Sequence, residues 1–288
     1  MARLQPPRLR ALSLATALLA AATAHSAALL EIQPGTARPG DVILIRIQGV
    51  ASMPTGKLGG VRQLAFFPGL GGYWALAALE MEQPPGEVAV SITEPSETSE
   101  EEITGTVTVV EPSFNRRELT VASRFIHPSA AARRWLAEDH AAFERVYDRP
   151  LEPPLFTQNF RWPRRSTVTA HFGDLRLLNG AKDSQHYGVD LTGRTGAPVS
   201  SANEGEVVLV RRCFASGNTV VIYHGAGLFT AYFHLSQMSA AVGQRVRQGQ
   251  IIGAVGRTGR VTGPHLHWAA KVDKLYVDPE SLLRLKFR

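Results

Sequence analysis

The sequence predicts a mostly β protein in which two domains are joined by one helix. Short apolar runs broken by turn residues extend over most of the 288 residues, which include 26 glycines and 18 prolines. One segment alone has helical periodicity, and 44% of the residues are apolar, enough for ordinary cores. We therefore expect an amino-terminal immunoglobulin-like β-sandwich, one connecting helix, and a carboxyl-terminal antiparallel β domain with a groove.

Residues 1–27 have the layout of a secretory signal peptide. Three arginines precede an apolar run at 11–24, and small residues follow at 25–28. The run is short for a membrane span, and a retained signal anchor is the alternative interpretation. We predict cleavage after Ser26 or Ala28 and export to the periplasm or the extracellular space, with no stable membrane insertion afterwards.

Charge and cysteine content limit the partners. The three arginines of the signal peptide account for half of the formal charge of +6, so the mature chain carries about +3. This mild basicity suits an anionic cell-wall polymer. The sequence lacks the basic stripe with interleaved aromatic residues that would indicate nucleic-acid binding. Cys213 is the single cysteine, so no internal disulfide can form, and it lies too far from the signal peptide to carry a lipid anchor.

Residues 28–124 have the pattern of the β-sandwich, an accessory domain without catalytic spacing. The predicted strands, separated by turn residues, are 41–47, 63–67, 73–81, 87–92, 105–110 and 118–121. The acidic segment 94–102 is expected to be a mobile, solvated loop. This domain could position a substrate, contact a partner or cover a groove.

Residues 125–158 are predicted to form the helix and a proline-rich connector. Apolar residues recur at helical spacing over 128–147, and Arg149-Pro150 ends the pattern. The prolines at 151–156 indicate a stiff connector. We expect the helix to pack between the two domains, with a partner-binding helix as the alternative.

Residues 159–288 return to β patterning with many glycines. The predicted strands are 166–172, 187–191, 207–212, 219–224, 228–234, 251–255 and 265–271. The segment 225–227 is a predicted hairpin turn. Closely spaced strands with almost no helix indicate a compact antiparallel domain.

Two histidines near the end of the chain alternate with an apolar residue. If 263–268 is a strand, His265 and His267 point to one face, while Leu266 points to the core. Parallel neutral imidazoles are typical metal ligands.

Two further fragments strengthen this interpretation. If 186–190 is extended, His186, Gly188 and Asp190 share one face, and Gly188 leaves space between its neighbours. His234 also alternates with apolar residues. Any one of these histidines alone would more often be structural, but together with a carboxylate they predict a metal site.

The region 167–279 resembles the catalytic domain of the lysostaphin-type, or LytM-like, zinc endopeptidases that act on peptidoglycan (the duplicated hybrid motif). Glycine and polar landmarks agree in order and spacing at 170–173, 186–190, 196–199, 203–207, 230–235, 248–253, 256–259 and 262–267. The preceding β domain is similar to accessory domains often found before such peptidases.

The resemblance implies one Zn²⁺ per chain, held by His186, Asp190 and His267 with a fourth position open to water. It leaves His234 and His265 beside the metal as catalytic residues. We assign His265 as the general base and His234 as the oxyanion stabiliser, although the two could share both roles.

Other residues of this region have weaker assignments. Arg176 and Asn179 occupy positions where the family has polar residues along the groove, and both are candidate substrate-binding residues. His171 either lines the groove or is exposed. Four glycines are interpreted as turn requirements rather than substrate contacts: Gly173, Gly188, Gly259 and Gly263.

These features predict a secreted zinc metalloendopeptidase that hydrolyses peptide cross-links or bridges of peptidoglycan. One alternative is a non-catalytic wall-binding protein that activates an amidase; the complete set of histidines argues against it. The second alternative is a secreted zinc protease that acts on other proteins. The sequence does not distinguish this alternative from the predicted peptidoglycan endopeptidase.

Overall fold

A computed structural model describes residues 28–95 and 101–287. The predicted signal peptide at 1–27 lies outside the described residues. So do residues 96–100, the centre of the acidic segment expected to be a loop. The flanks of that segment lie in strands, because Glu94 pairs with Glu101 at the end of a hairpin.

The described amino-terminal residues form a mostly β region, as predicted. Its strands are β1 (Leu29–Gln33), β2 (Thr36–Ala37), β3 (Val42–Gln48), β4 (Thr55–Leu58), β5 (Arg62–Gln63), β6 (Phe67–Gly69), β7 (Gly72–Ala78), β8 (Gly86–Glu94) and β9 (Glu101–Val109). They make two sheets, of order β1-β3-β7-β6 and β2-β9-β8-β4-β5. Ile45, Val90 and Val107 belong to one fully buried core built from both sheets. The immunoglobulin-like character of this region stays a prediction.

One predicted strand of this region is two strands in the structure. The expected strand at 63–67 is divided between β5, which pairs with β4, and β6, which pairs with β7. The chain therefore crosses from one sheet to the other within that segment.

Strand β3 is buried on both faces. Ile43 and Ile45 point into the amino-terminal core, whereas Val42 and Leu44 lie in the core of the carboxyl-terminal domain, since side chains alternate along a strand. Arg284 also donates to the Asp41 carboxylate at 2.8 Å. The two halves of the chain thus share a packed interface.

The connecting helix is α1 (Ala130–Tyr147), preceded by a single 3-10 turn (Ser123–Phe125). Ser129 caps it by accepting from the Ala132 amide at 3.2 Å. Contrary to expectation, α1 does not pack between the domains: Phe143 and Tyr147 lie against Phe233 and Phe229 of the large sheet described next. The aromatic side chains of Phe143 and Tyr147 account for this placement, because they pack on aromatic residues of the sheet. Over the part of the chain that the structure describes, no helix has the length and apolar character needed to cross a membrane.

The remaining strands build the carboxyl-terminal region. They are β10 (Arg116–Leu119), β11 (Val168–Ala170), β12 (Leu175–Leu178), β13 (Lys182–Gln185), β14 (Val189–Thr192), β15 (Pro198–Ser200), β16 (Gly205–Cys213), β17 (Gly217–Tyr223), β18 (Leu228–Leu235), β19 (Gln237–Met238), β20 (Arg245–Val246), β21 (Ile251–Ala254), β22 (His265–Val272) and β23 (Leu275–Val277), followed by the short helix α2 (Pro279–Leu282). The large antiparallel sheet has the order β11-β14-β22-β18-β17-β16-β20, with β23 on β22. The β17–β18 hairpin turns at 225–227, as predicted. Cys213 is free and buried.

Strand β10 precedes α1 yet belongs to the carboxyl-terminal region. It pairs in parallel with β12, which pairs with β13. The sequence placed this strand in the sandwich and did not predict the β12–β13 hairpin. The proposed domain limits of 28–124, 125–158 and 159–288 stay predictions, and this pairing carries the chain across the first of them.

Candidate metal centre

Donor atoms from His186, Asp190 and His267 converge on one point. Asp190 Oδ1 lies 3.1 Å from His186 Nε2 and 2.8 Å from His267 Nδ1. The two imidazole nitrogens are 2.9 Å apart. His186 and Asp190 are buried and His267 is half-buried. The structure thus brings together the three residues predicted to hold a metal.

The strand register explains two of the three positions. Asp190 on β14 lies directly opposite His267 on β22. Leu266 is fully buried, so His265 and His267 point to the other face, as the alternation predicted.

His186 reaches the cluster from outside the strands. Strand β13 ends at Gln185 and β14 begins at Val189, and the chain bends between them. The expectation that 186–190 forms one extended run is therefore wrong, because β13 and β14 belong to different sheets.

Gly188 leaves space, as expected, but the group that needs this space is the His267 ring, and the interpretation of Gly188 as a turn requirement missed this role. A Cβ at this position would lie 2.5 Å from the Trp268 carbonyl oxygen and 2.8 Å from His267 Nε2. Its backbone lies outside the left-handed region, unlike that of Gly173 and Gly259. Only glycine lets the His267 ring approach the backbone so closely.

Two outer contacts orient the donors. His186 donates from Nδ1 to the His171 carbonyl oxygen at 2.7 Å, so Nε2 carries the lone pair that faces the cluster. Arg176 donates to Asp190 Oδ2 at 2.6 Å, which leaves Oδ1 for the cluster. Such partners fix the tautomer and orientation of metal ligands. The His171 side chain itself is exposed and contacts Glu280 at 2.7 Å.

The pKa values of Asp190 and His267 favour the protonation states that metal binding requires. Burial raises the pKa of Asp190, but its close contacts with the His186 and His267 imidazoles outweigh that effect and hold this pKa well below its usual range. Burial lowers the pKa of His267 to about 4. At neutral pH the site therefore offers a carboxylate and neutral imidazole.

The three donors fit a divalent transition metal. Two imidazoles and one carboxylate are a common ligand set of catalytic zinc, and bond lengths of about 2.0 to 2.2 Å place tetrahedral ligand atoms about 3.3 Å apart. The observed separations of 2.8 to 3.1 Å are close to that value.

His234 and His265 lie beside the cluster in matching tautomers. Each contacts a backbone carbonyl through Nδ1, His234 that of Thr258 at 2.9 Å and His265 that of Gly263 at 3.0 Å. Because a carbonyl oxygen only accepts, Nδ1 carries the proton and Nε2 is an acceptor. His265 Nε2 is 3.6 Å from Asp190 Oδ1. The ring centroids of His234 and His265 are 5.0 Å apart.

The environment of His234 is unusual. Burial lowers its pKa well below the usual value, and the neighbouring rings of His265 and His267 lower it further. Its backbone φ is 62°, a conformation that costs free energy in a residue other than glycine and recurs at functional sites.

The two predicted substrate contacts differ in position. Arg176 lines the groove and contacts Asp190. Asn179 instead holds the segment that follows β10: its Oδ1 accepts from the Val121 amide at 2.7 Å, and its Nδ2 donates to the Val121 carbonyl at 2.9 Å. Substrate contact by either residue stays a prediction, and these hydrogen bonds do not favour it for Asn179.

Two cavities flank the cluster, of about 300 and about 200 Å³. Arg176 and Arg260 line both, and Arg117 of β10 lines the larger. Sequence reasoning did not select Arg117 or Arg260. The available signal for Arg260 was its place between two glycine landmarks, 256–259 and 262–267.

Residues 184–279 match the family model described as Peptidase family M23. The chain contains a Peptidase M23 domain. The match includes the three donors and the two histidines beside them, and it confirms the resemblance to lysostaphin-type peptidases. Strand β10 and Arg176 precede the matched residues. Among curated relatives, the Vibrio cholerae protein named Peptidoglycan DD-endopeptidase ShyA is 48% identical over 102 residues, 35% of this chain and 24% of the relative. The Neisseria meningitidis protein named DD-carboxypeptidase/endopeptidase Mpg is 43% identical over 97 residues, 34% of this chain and 22% of the relative.

The chain therefore spans about a quarter of the length of these curated relatives. A crystal structure of a putative peptidase M23 from Pseudomonas aeruginosa is similar with a TM-score of 0.63, covering 85% of this chain and 94% of that chain at 24% identity. This likeness concerns the fold alone, and it extends beyond the M23 domain into the amino-terminal strands.

Proposed function

We propose that this chain is an exported zinc metalloendopeptidase that hydrolyses peptide cross-links of bacterial peptidoglycan. The complete site carries the proposal: three converging donors and two histidines with accepting Nε2 atoms border one groove. The names of the relatives, which contain "endopeptidase" and in one case "Peptidoglycan", support this substrate class. Their shared prefix "DD" favours a cross-link between D-amino acids over a glycine bridge.

The zinc ligands in this proposal are His186 Nε2, Asp190 Oδ1 and His267 Nδ1. Bound zinc supplies Lewis-acid polarisation of the scissile carbonyl and acidification of the attacking water. The protein contributes the fixed donor geometry, which the His171 carbonyl and the Arg176 guanidinium maintain.

His265 and His234 accept and donate protons in this proposal. His265 Nε2 is an acceptor on the side of Asp190, which suits a general base that later returns the proton to the leaving amine. His234 has the same tautomer, so it can donate to an oxyanion only after its Nε2 has gained a proton. Its low pKa keeps it neutral before the reaction. We therefore propose His265 as the principal base, which takes one proton of the attacking water. His234 would be a second acceptor that takes the other proton and then donates from Nε2, and both protons pass to the leaving amine.

Export is part of the proposal. The signal-peptide pattern at 1–27 supports it, and a peptidoglycan substrate requires a location outside the cytoplasm, in the periplasm or beyond the cell.

The test combines metal content with substrate digestion. We would measure bound zinc in the mature chain by mass spectrometry and identify the fragments released from purified peptidoglycan. We expect one zinc and released peptides whose new ends identify the bond. His267→Ala should lose both, whereas His140→Ala, on the exposed side of α1, should keep both.

Two outcomes would contradict the proposal. Bound zinc with cleavage of a glycine-rich protein but not of peptidoglycan would favour a protease of other substrates. An intact fold that binds peptidoglycan without any cleavage would favour an amidase activator.

A further inference from the structure

The groove beside the metal cluster contains a guanidinium that has no counter-ion among the described residues. Arg260 lies in the loop between β21 and β22, and its amide donates to the Ala215 carbonyl at 2.7 Å. Its side chain lines both cavities. Among residues 28–95 and 101–287, no hydrogen-bond or ion-pair partner of this guanidinium is present.

A second guanidinium lies close to it. Arg176 uses one terminal nitrogen on Asp190, but its Nε is buried without a hydrogen-bond partner. Burial lowers the pKa of Arg260, and the charge of Arg176 lowers it further. Two like charges that are partly removed from water repel each other unless an anion lies between them.

Among the residues that the structure describes, the lining of the two cavities has no carboxylate left to pair with Arg260. Asp190 is the only carboxylate among the described residues that line them, and its oxygens are directed to Arg176 and to the donor cluster. The guanidinium groups of Arg176 and Arg260 therefore face a space that the described residues do not neutralise. Arg117, which lines the larger cavity, already donates to the Thr169 carbonyl, and its Nε lies 3.7 Å from the Asp174 carboxylate.

We propose that Arg260, beside Arg176, binds a free carboxylate of the substrate peptide and is therefore a specificity-determining residue. A guanidinium presents parallel N–H donors that match a carboxylate, and such charge-assisted pairs are strong where water is partly excluded. Both cavities that Arg260 lines are also lined by cluster residues, Asp190 in the larger and His186 and His267 in the smaller. The bound carboxylate thus belongs to a residue close to the scissile bond. This inference rests on the proposed function and defines its substrate class as an acidic peptide.

The test uses the full mature chain and a matched pair of synthetic cross-linked stem-peptide dimers. One carries free carboxylates beside the scissile bond and the other carries carboxamides. For the wild type we expect kcat/KM to be about 10- to 100-fold higher on the carboxylate dimer, the range expected for a hydrogen bond to a charged group. Arg260→Gln should remove this preference without changing zinc content, and Arg260→Lys should restore part of it.

Arg257→Gln provides the matched control, since Arg257 is exposed on the same loop and should leave the preference unchanged. An equal kcat/KM of the wild type on both dimers, or an equal loss on both in Arg260→Gln, would overturn the inference while leaving the peptidase proposal intact.

A binding measurement separates the two proposals. Calorimetric titration of the metal-free chain with the carboxylate form of a stem tetrapeptide should show affinity that Arg260→Gln lowers by about 10-fold or more. If the wild type cleaves neither dimer, the proposed function fails, and this titration still decides whether Arg260 recognises the carboxylate.

Discussion

Asp190 and His267 face each other across the β14–β22 pair, with Oδ1 and Nδ1 2.8 Å apart. Directly opposed residues of an antiparallel pair have Cβ atoms about 4.5 to 5.5 Å apart, so their side chains meet without any loop movement. Backbone hydrogen bonding in the large sheet therefore places two of the three donors. A site on such rigid elements is organised before a metal binds.

The first prediction concerns the space beside His267. Gly188→Ala should displace the His267 ring, because the new Cβ would lie 2.8 Å from Nε2. We expect zinc affinity to fall by about 10- to 100-fold, as when ligand-orienting groups are changed. Competition with a chromophoric chelator would measure it. Gly35→Ala is the control, since no atom lies near that position; equal affinity in both variants would show that the close approach has no importance.

The second prediction concerns the orientation of Asp190. Arg176→Gln removes the donor to Oδ2, so the carboxylate should rotate more freely and zinc affinity should fall by about 10-fold or more. The same chelator competition applies. Arg194→Gln, on an exposed loop after β14, should have wild-type affinity. Unchanged zinc affinity in Arg176→Gln would mean that the contacts of Asp190 with His186 and His267 are sufficient to orient its carboxylate.

The third prediction separates proton transfer from metal binding. His265→Ala and His234→Ala should each keep zinc, because neither residue supplies a donor atom to the cluster. Each should lower kcat by about 100- to 10,000-fold, the usual range for loss of an acid–base group. Zinc analysis and initial rates on peptidoglycan would be measured on the same samples. A variant that loses its zinc would instead indicate that the histidine is a ligand.

The fourth prediction concerns pH and the interface between the two halves of the chain. Burial raises the pKa of Asp278 to about 7, and the neighbouring carboxylates of Asp41 and Glu280 add to the effect while Arg284 opposes it. The folded state therefore holds a proton that the unfolded chain releases near pH 4. This contribution to stability is complete below about pH 4 and is lost as the pH rises through about 7.

Asp278→Asn should remove that pH dependence while its side-chain oxygen still caps α2 by accepting from the Glu280 amide. We compare the free energy of unfolding of the variant with that of the wild type at each pH. This difference should be about 1 to 2 kcal/mol more favourable to the variant at pH 8 than at pH 5, a range that allows for the partial exposure of the side chain. Urea denaturation at the two pH values would measure it. Glu87→Gln, at an exposed position of β8, should show no such gain, and an equal difference at both pH values would contradict the raised pKa.

Local patterns were sufficient for most of the strands and for the expectation of a metal site, whereas the division into ligands and catalytic histidines came from the family resemblance. The alternation of His265, Leu266 and His267 predicted a buried leucine between two groove-facing histidines, and the structure confirms it. The helix prediction of 128–147 also agrees with α1 at Ala130–Tyr147. These features follow from side-chain periodicity along one element, which neighbouring residues alone determine.

Contacts between distant segments were not predictable in this way. The packing of α1 on the large sheet depends on where Phe229 and Phe233 lie after the sheet has formed. The pairing of β10 with β12 joins residues separated by the whole helix and connector. The role of Gly188 required the position of the His267 ring.

The sequence by itself indicated the β-rich fold, the helix that became α1, and the histidines and carboxylate of a predicted metal site, because periodicity and residue chemistry are local properties. Only the tertiary structure decided how those side chains are held and what surrounds them. The hydrogen bond from Arg176 to Asp190, the matching tautomers of His234 and His265, and the guanidinium of Arg260 in the groove all depend on distances between segments far apart in the chain. Such distances are set by sheet register and packing, which no single segment specifies.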